Sequence, residues 1–182
     1  LVGDYLFVNK FSYGYRIPFT KSRVFMEVGP KRGDVAVFEY PQDPDKDYIK
    51  RVVGLPGDHI DYRNKRRFGN GKQVAYTPDA DYNYRNLEGY MVETLRLQEN
   101  LDGRDHDMIV MRTQPRVWHP RGWTVPKDHY FVMGDNRDNS NDSRMWGYVP
   151  SYRLVGRAVR LFWSWDRENS TVRWERLGQP VL

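Results

Sequence analysis

The hydrophobic positions of this chain fall in short runs separated by polar turns. Six runs combine β-branched and aromatic residues and are bounded by Gly, Pro, Asp or Asn, which is typical of β-strands. They are residues 5–8, 35–38, 49–53, 108–111, 130–133 and 155–163. Residues 87–101 alone carry apolar side chains spaced for one face of a helix, and Gly89 weakens that prediction. The pattern therefore predicts an all-β fold with one candidate helix.

The composition of the sequence changes between Asp58 and Thr124. Tyr, Asn, Arg and Gly become frequent there, the apolar runs thin out, and turn signals such as Gly69-Asn70-Gly71 occur. We interpret residues 58–124 as an insertion that forms a second, small antiparallel β region. Residues 1–57 and 125–182 then form one β core that is interrupted in the sequence.

Composition excludes several classes of site. The 182 residues include no cysteine, which rules out disulfides, zinc thiolate sites and thiol nucleophiles. The formal charge of +5 is compatible with nucleic acid or anionic lipid as a partner. Basic and acidic residues are interspersed, however, and the densest basic run, residues 63–67, holds only four of them. Nucleic-acid binding is therefore not favoured.

A lysine lies inside one of the predicted strands. Lys50 stands between Ile49 and Val52, and because side chains alternate along a strand, Lys50 and Arg51 point to opposite faces. An ammonium group held against apolar surface has a depressed pKa, and lysine then serves as a general base near neutral pH. The alternative is an ordinary solvated lysine on an edge strand.

A strongly polar segment follows the predicted strand at 130–133. Residues 134–144, Gly-Asp-Asn-Arg-Asp-Asn-Ser-Asn-Asp-Ser-Arg, contain no apolar side chain, which indicates a loop folded around its own hydrogen bonds. Calcium binding is the more specific functional alternative for a loop rich in Asp and Asn. The spacing lacks the bidentate glutamate of the helix–loop–helix calcium site, so calcium is not favoured.

Together these segments closely resemble the type I signal peptidases. The resemblance rests on Gly3-Asp4 with Val8 and Lys10, on 32–35 (Arg-Gly-Asp-Val), on 48–58 (Tyr-Ile-Lys-Arg-Val-Val-Gly-Leu-Pro-Gly-Asp) and on 134–144. The last two are long, nearly gap-free and specific, and only the insert lacks a recognisable motif. The resemblance implies an antiparallel β catalytic core of the signal-peptidase and LexA type.

The resemblance also implies roles for six residues. Lys50 is expected to be the general base that takes the proton of a serine hydroxyl, and Ser140 to orient Lys50 through its own hydroxyl. Asp142 and Arg144 match an ion pair that holds the loop, and Asp135 and Arg137 have similar supporting roles. No metal or organic cofactor is expected.

Substrate preference is the next implication of the resemblance. Members of the family cut after small residues of the Ala-x-Ala type and pass through an acyl-enzyme. Tyr48 and Ile49 match positions that line the small pockets, and Leu6 and Val37 are expected to help form their walls. Ordinary core packing is the alternative for these four apolar positions.

The family nucleophile lies in a Ser-x-Pro-Thr element just before the stretch that here reads Leu1-Val2-Gly3-Asp4. None of the seven serines of the chain stands in that context. The chain by itself is therefore expected to be inactive, with its nucleophile upstream of Leu1. A fragment of an active enzyme is the favoured explanation, and a natural loss is the alternative.

The expected partners are the signal peptides of exported preproteins and a membrane surface. Residues 11–19 carry five large apolar or aromatic side chains and are either an interfacial segment or part of the core. The expected place is the periplasmic side of the inner membrane. The alternatives are a maturation peptidase of conjugative transfer with the same dyad and a catalytically inactive preprotein-binding domain. A nucleic-acid binder would show a steep salt dependence.

Overall fold

A computed structural model of the chain describes residues 3–16, 23–24, 29–86, 88–113, 122–166 and 169–181. Strands dominate it, and the helical elements are short. They are the α-helix α1 (Ser143–Trp146) and two 3-10 turns, Ser151–Arg153 and Trp174–Arg176. Every strand ladder in the described ranges is antiparallel. The predicted all-β antiparallel fold is confirmed.

Strands from both ends of the chain form the main sheet. They are β1 (Asp4–Asn9), β4 (Val35–Tyr40) and β5 (Asp43–Gly54), then, after the insert, β13 (His129–Met133), β14 (Val149–Pro150), β15 (Leu154–Asp166) and β16 (Thr171–Val172). Between β1 and β4 lie two short strands outside this sheet, β2 (Tyr15–Arg16) and β3 (Arg23–Val24). The strand order in the described part of this sheet is β1-β15-β4-β5-β13-β14, with β16 paired to β15, while β2 and β3 pair only with each other.

The strands between residues 58 and 125 pair among themselves. They are β6 (His59–Arg63), β7 (Arg66–Gly69), β8 (Lys72–Gln73), β9 (Tyr76–Arg85), β10 (Met91–Leu101), β11 (Arg104–Met111) and β12 (Trp123–Thr124). As described, they form one sheet of order β11-β10-β9 and another of order β12-β6-β7-β8. We refer to residues 58–124 as the insert.

Two apolar clusters cover opposite faces of the main sheet. Val52 and Val132 belong to a cluster with Ala36, Phe38 and Leu154. Their sequence neighbours Val53, Phe131 and Met133 point the other way and pack with Ile60, Tyr62 and Leu101 of the insert. The alternation of side chains across strands produces this division. The second cluster includes residues of both the core and the insert, so it does not separate the two regions. The predicted domain boundaries therefore stay a prediction.

All six predicted strands are present, as parts of β1, β4, β5, β11, β13 and β15. The candidate helix at 87–101 was wrong, because residues 91–101 form β10, which pairs with β9 and with β11. Leu95, Leu97 and Leu101 also fit a period of two, but the charged Glu99 occupies the buried position between the last two. A charge at a buried strand position concealed the strand pattern.

The segment at 11–19 is described only in part. The side chain of Phe11 is 74% exposed and that of Tyr13 is 2% exposed, so its first residues point in different directions. Residues 17–19 lie outside the described residues. No helix among the described residues is long and apolar enough to span a bilayer.

Candidate active site

Lys50 lies in the middle of the main sheet. It is opposite Ala36 of β4, and on the same face of β5 its neighbours are Tyr48 and Val52. Its Nζ lies 5.7 Å from the centroid of the Tyr48 ring. Because Ala36 and Val52 are fully buried, the lysine stem is packed against apolar surface, and only part of the side chain reaches solvent.

This setting changes the acidity of the amine. Burial lowers the pKa of Lys50 below its ordinary value, because a charged ammonium loses hydration there. The negative charges of Asp142 and Asp135 oppose this effect without cancelling it. A larger fraction of Lys50 is therefore neutral near physiological pH than for an exposed lysine, which is what a general base requires.

The polar loop 134–144 begins beside Lys50. Strand β13 pairs with β5 as far as Met133, which is opposite Arg51, and the chain leaves the sheet at Gly134. A methyl group on Gly134 would overlap the hydroxyl of Ser140 and would lie 3.7 Å from Lys50 Nζ. Gly134 thus leaves the space in which the loop folds back and brings Ser140 towards Lys50.

Ser140 Oγ is buried, and it has no hydrogen-bond partner in the part of the chain that the structure describes. Ser140 and Lys50 therefore both lie next to Gly134, but the expected hydrogen bond does not join them. The orienting role of Ser140 stays a prediction. An unsatisfied buried hydroxyl is costly and is often found at functional sites.

Asp142 and Arg144 close the far end of the loop. Their side chains form an ion pair at 2.8 Å, with Asp142 fully buried. Asp142 also caps α1 by accepting from Arg144 N, and its Oδ2 accepts the backbone N–H of Gly134 at 3.0 Å. One carboxylate thus connects the two ends of the loop.

Asp135 and Arg137 bind partners that sequence reasoning missed. Asp135 accepts two hydrogen bonds from the guanidinium of Arg51, both 2.8 Å long. Arg137 is buried and pairs with Glu99 of the insert. The sequence did contain a signal for Arg51, because strand alternation requires its side chain to point away from Lys50. Glu99 gave no signal, because a lone glutamate in a strand is normally exposed.

The four residues expected in substrate pockets do not form one group. Val37 and Ile49 are directly opposite each other on β4 and β5, and alternation puts them on the other face from Tyr48 and Lys50. Leu6 lies on β1, with β15 between it and β4. The structure brings Val37 and Ile49 together and leaves Leu6 one strand further away.

The chain matches the family model described as signal peptidase, peptidase S26, over residues 1–163. The chain belongs to this signal peptidase family. The resemblance drawn from the motifs is therefore confirmed. The chain is similar to the signal peptidase I of Pseudomonas aeruginosa, to which it is 42% identical over 175 residues, and to that of Pseudomonas fluorescens, to which it is 46% identical over 180 residues.

In both of these alignments with signal peptidase I, 90% of this chain and 60% of the relative are covered. The chain thus spans about 60% of the length of these relatives. The solved structure of a signal peptidase I from Enterococcus faecalis superimposes with a TM-score of 0.44 at 29% identity, covering 71% of this chain and 97% of that one.

Proposed function

We propose that this chain carries the general base and the supporting loop of a Ser/Lys serine endopeptidase that removes signal peptides from exported preproteins. The observation that supports the proposal is that Lys50, whose burial lowers its pKa, and a buried serine hydroxyl with no partner in the described residues, that of Ser140, both lie next to Gly134. The nucleophilic serine is supplied by residues upstream of Leu1, so this chain alone is inactive.

The chemistry follows from the neutral amine. Lys50 Nζ takes the proton of the nucleophilic hydroxyl while the serine oxygen attacks the scissile carbonyl carbon. The resulting ammonium returns that proton to the leaving amine as the C–N bond breaks, which leaves an acyl-enzyme. Lys50 then takes a proton from water, the hydroxide attacks the ester, and the proton returns to the serine as the acid product departs.

A peptide substrate fits the open edge of β5. The pairing of β13 with β5 ends at Arg51, so on that side residues 47–50 have no strand partner in the described part of the chain. An extended peptide can add there as a strand, with alternate side chains entering pockets. Val37 and Ile49 form the apolar wall that accepts small residues, and Tyr48 lies beside the base on the other face.

A membrane surface is the second proposed partner. The rings of Tyr5 and Phe7 of β1 pack at tilted angles against the ring of Phe162 of β15, with their centroids 5.9 and 4.8 Å from its centroid, and all three residues are about half exposed. We call these three residues the aromatic patch. Exposed aromatic clusters of this kind suit the interfacial region of a bilayer. The proposed site of action is the periplasmic face of the inner membrane.

The test is cleavage of a preprotein peptide with an Ala-x-Ala site by four proteins. They are this chain, the chain extended upstream to include the expected Ser-x-Pro-Thr, and the extended form with Lys50→Met or with Lys46→Met. Lys46 lies on the same strand with its side chain 67% exposed, so its substitution is the matched control. We expect cleavage only by the extended form and its Lys46→Met variant.

Other outcomes favour the alternatives. If the extended form binds the preprotein but does not cut it, the chain is a preprotein-binding domain. If it cuts precursors of conjugative-transfer proteins but no secretory signal peptide, it is a maturation peptidase with the same dyad. Cleavage by the Lys50→Met variant would exclude Lys50 as the base.

A further inference from the structure

The insert holds the loop 134–144 by several independent contacts. Ile109 of β11 pairs with the loop backbone, since its N–H donates to Asp135 O at 2.9 Å and its carbonyl accepts from Arg137 N at 3.0 Å. Asp138 accepts from Met111 N at 2.7 Å and from Lys65 Nζ at 2.9 Å. The loop that carries Ser140 is therefore built against the insert and not only against its own strand.

Glu99 of the insert makes a further, buried contact with the loop. Its side chain is fully buried, and its carboxylate binds the guanidinium of Arg137 through both Oε atoms. It also accepts from Arg67 Nε at 3.1 Å and from Tyr76 OH at 2.9 Å, and it lies 2.9 Å from His106 Nε2. Because Tyr76 and His106 are the cross-strand neighbours of Glu99 on β9 and β11, the three-stranded sheet fixes the carboxylate in place.

The burial of both charges explains why the contact between Glu99 and Arg137 is strong. Arg137 has a fully buried side chain, and a buried guanidinium needs a carboxylate, since an unpaired charge in the interior is very costly. Burial alone would raise the pKa of Glu99, but the charge of Arg137, the hydrogen bonds from His106 and Arg137 and the charge of Arg67 hold that pKa well below its ordinary value. Glu99 therefore stays ionised at neutral pH.

We propose that Glu99 is a positioning residue for the peptidase reaction, which anchors the loop through Arg137 and so holds Ser140 beside Lys50. The inference rests on the proposed function. It assigns a role to the insert: the insert shapes the active site from the opposite face of the sheet. Arg144 Nη2 extends the connection, since it donates to Arg137 O at 2.5 Å and pairs with Asp142 at 2.8 Å.

The test uses the full-length enzyme with Glu99→Gln, which keeps the shape of the side chain and removes its charge. Glu93→Gln is the matched control, because Glu93 lies on the same strand with an exposed side chain. With the active sites counted by acyl-enzyme formation, we expect kcat per folded enzyme to fall by about 10²-fold at nearly constant KM. We also expect the acid limb of the pH profile to move to higher pH, because a looser loop admits water to Lys50.

A second variant covers the case in which Glu99→Gln does not fold. Arg137→Lys keeps a positive charge opposite Glu99 but loses the paired donors of the guanidinium. The buried negative charge of Glu99 is then still neutralised, while the contact that holds the loop is weaker. We expect the same split between kcat and KM. Activity that returns to the wild-type value once it is corrected for the folded fraction would overturn the proposal.

Hydrogen exchange separates this proposal from the proposed function. We expect the amides of residues 134–144 to exchange at least tenfold faster in the Glu99→Gln or Arg137→Lys variant, while those of β4 and β15 are unchanged. This readout needs no peptidase activity. If the wild-type enzyme cuts no preprotein, the proposed function fails and the exchange result still tests the anchor. Unchanged exchange in the loop overturns the anchor alone.

Discussion

Lys50 and Arg51 are consecutive residues of β5, and their side chains end on opposite faces of the main sheet. Lys50 faces the apolar cluster that contains Ala36 and Val52, whereas Arg51 is buried on the side of the insert and binds Asp135. The loop 134–144 crosses from one side to the other. The carboxylate of Asp135 is held on the insert side of the sheet by Arg51. Ser140 lies on the other side, near the amine of Lys50.

Replacing Ser140 by alanine is expected to separate catalysis from stability. The hydroxyl has no hydrogen-bond partner among the described residues, so its loss removes an unsatisfied buried group and should raise the free energy of unfolding, by up to about 1 kcal/mol. Catalysis should fall by about 10²-fold in kcat, because Lys50 loses its orienting neighbour. Urea unfolding and peptide cleavage are measured together, with Ser151→Ala as the control. Full activity of the Ser140→Ala variant would remove the orienting role.

The pH dependence of cleavage should report the pKa of Lys50. Only the neutral amine accepts a proton, so kcat/KM should rise with pH up to that pKa, which burial places below the ordinary value of about 10.4. The charge of Asp142 favours the ammonium form. In Asp142→Asn the acid limb should therefore move to lower pH, although the maximal rate also falls because the loop is less well held.

Asp47→Asn is the matched control for this shift, because it removes an exposed carboxylate from the same strand as Lys50. Its acid limb should coincide with that of the wild-type enzyme. A limb that stays in place in Asp142→Asn, or that moves to higher pH, would show that the charge of Asp142 does not dominate the pKa of Lys50.

Gly134 should not tolerate a side chain. A methyl group there would overlap Ser140, so Gly134→Ala should lower the free energy of unfolding by about 1–3 kcal/mol through overpacking and should also abolish most activity. Adding Ser140→Gly makes room for the methyl group. We expect thermal unfolding to show recovered stability in the double variant, without recovery of cleavage. If the double variant is no more stable than Gly134→Ala, the two side chains do not compete for the same space.

The aromatic patch should contribute to membrane binding. Replacing Phe7 and Phe162 by serine is expected to weaken binding to phosphatidylethanolamine–phosphatidylglycerol vesicles by at least about tenfold, since a buried phenylalanine is worth ~1.5–3 kcal/mol. Tyr90→Ser, which removes a ring that is 68% exposed in the insert, is the control. Vesicle cosedimentation of this chain measures the effect. Equal binding by all variants would exclude the patch as the lipid contact.

The strands of the core were predictable because their residues satisfy a local rule. Runs of β-branched and aromatic residues between turn formers describe β4, β5, β13 and β15 without any knowledge of their partners. Strand β10 was not predictable in the same way, because Glu99 breaks its alternation. The positive charges of Arg137, 38 residues away, and of Arg67, 32 residues away, make a buried glutamate acceptable at that position.

The sequence by itself determined the family, the candidate base and the polar loop, because each of these depends on residues that are close together along the chain. It also required Lys50 and Arg51 to face apart, since the period of a strand is two. Tertiary structure alone decided that the insert supplies the partner of Arg137, that Arg51 binds Asp135, and that Ser140 returns over Gly134. The first two contacts join residues that are far apart in sequence, and the free energy of a buried charge depends on which partner the fold brings to it. The third depends on how the loop packs against the sheet.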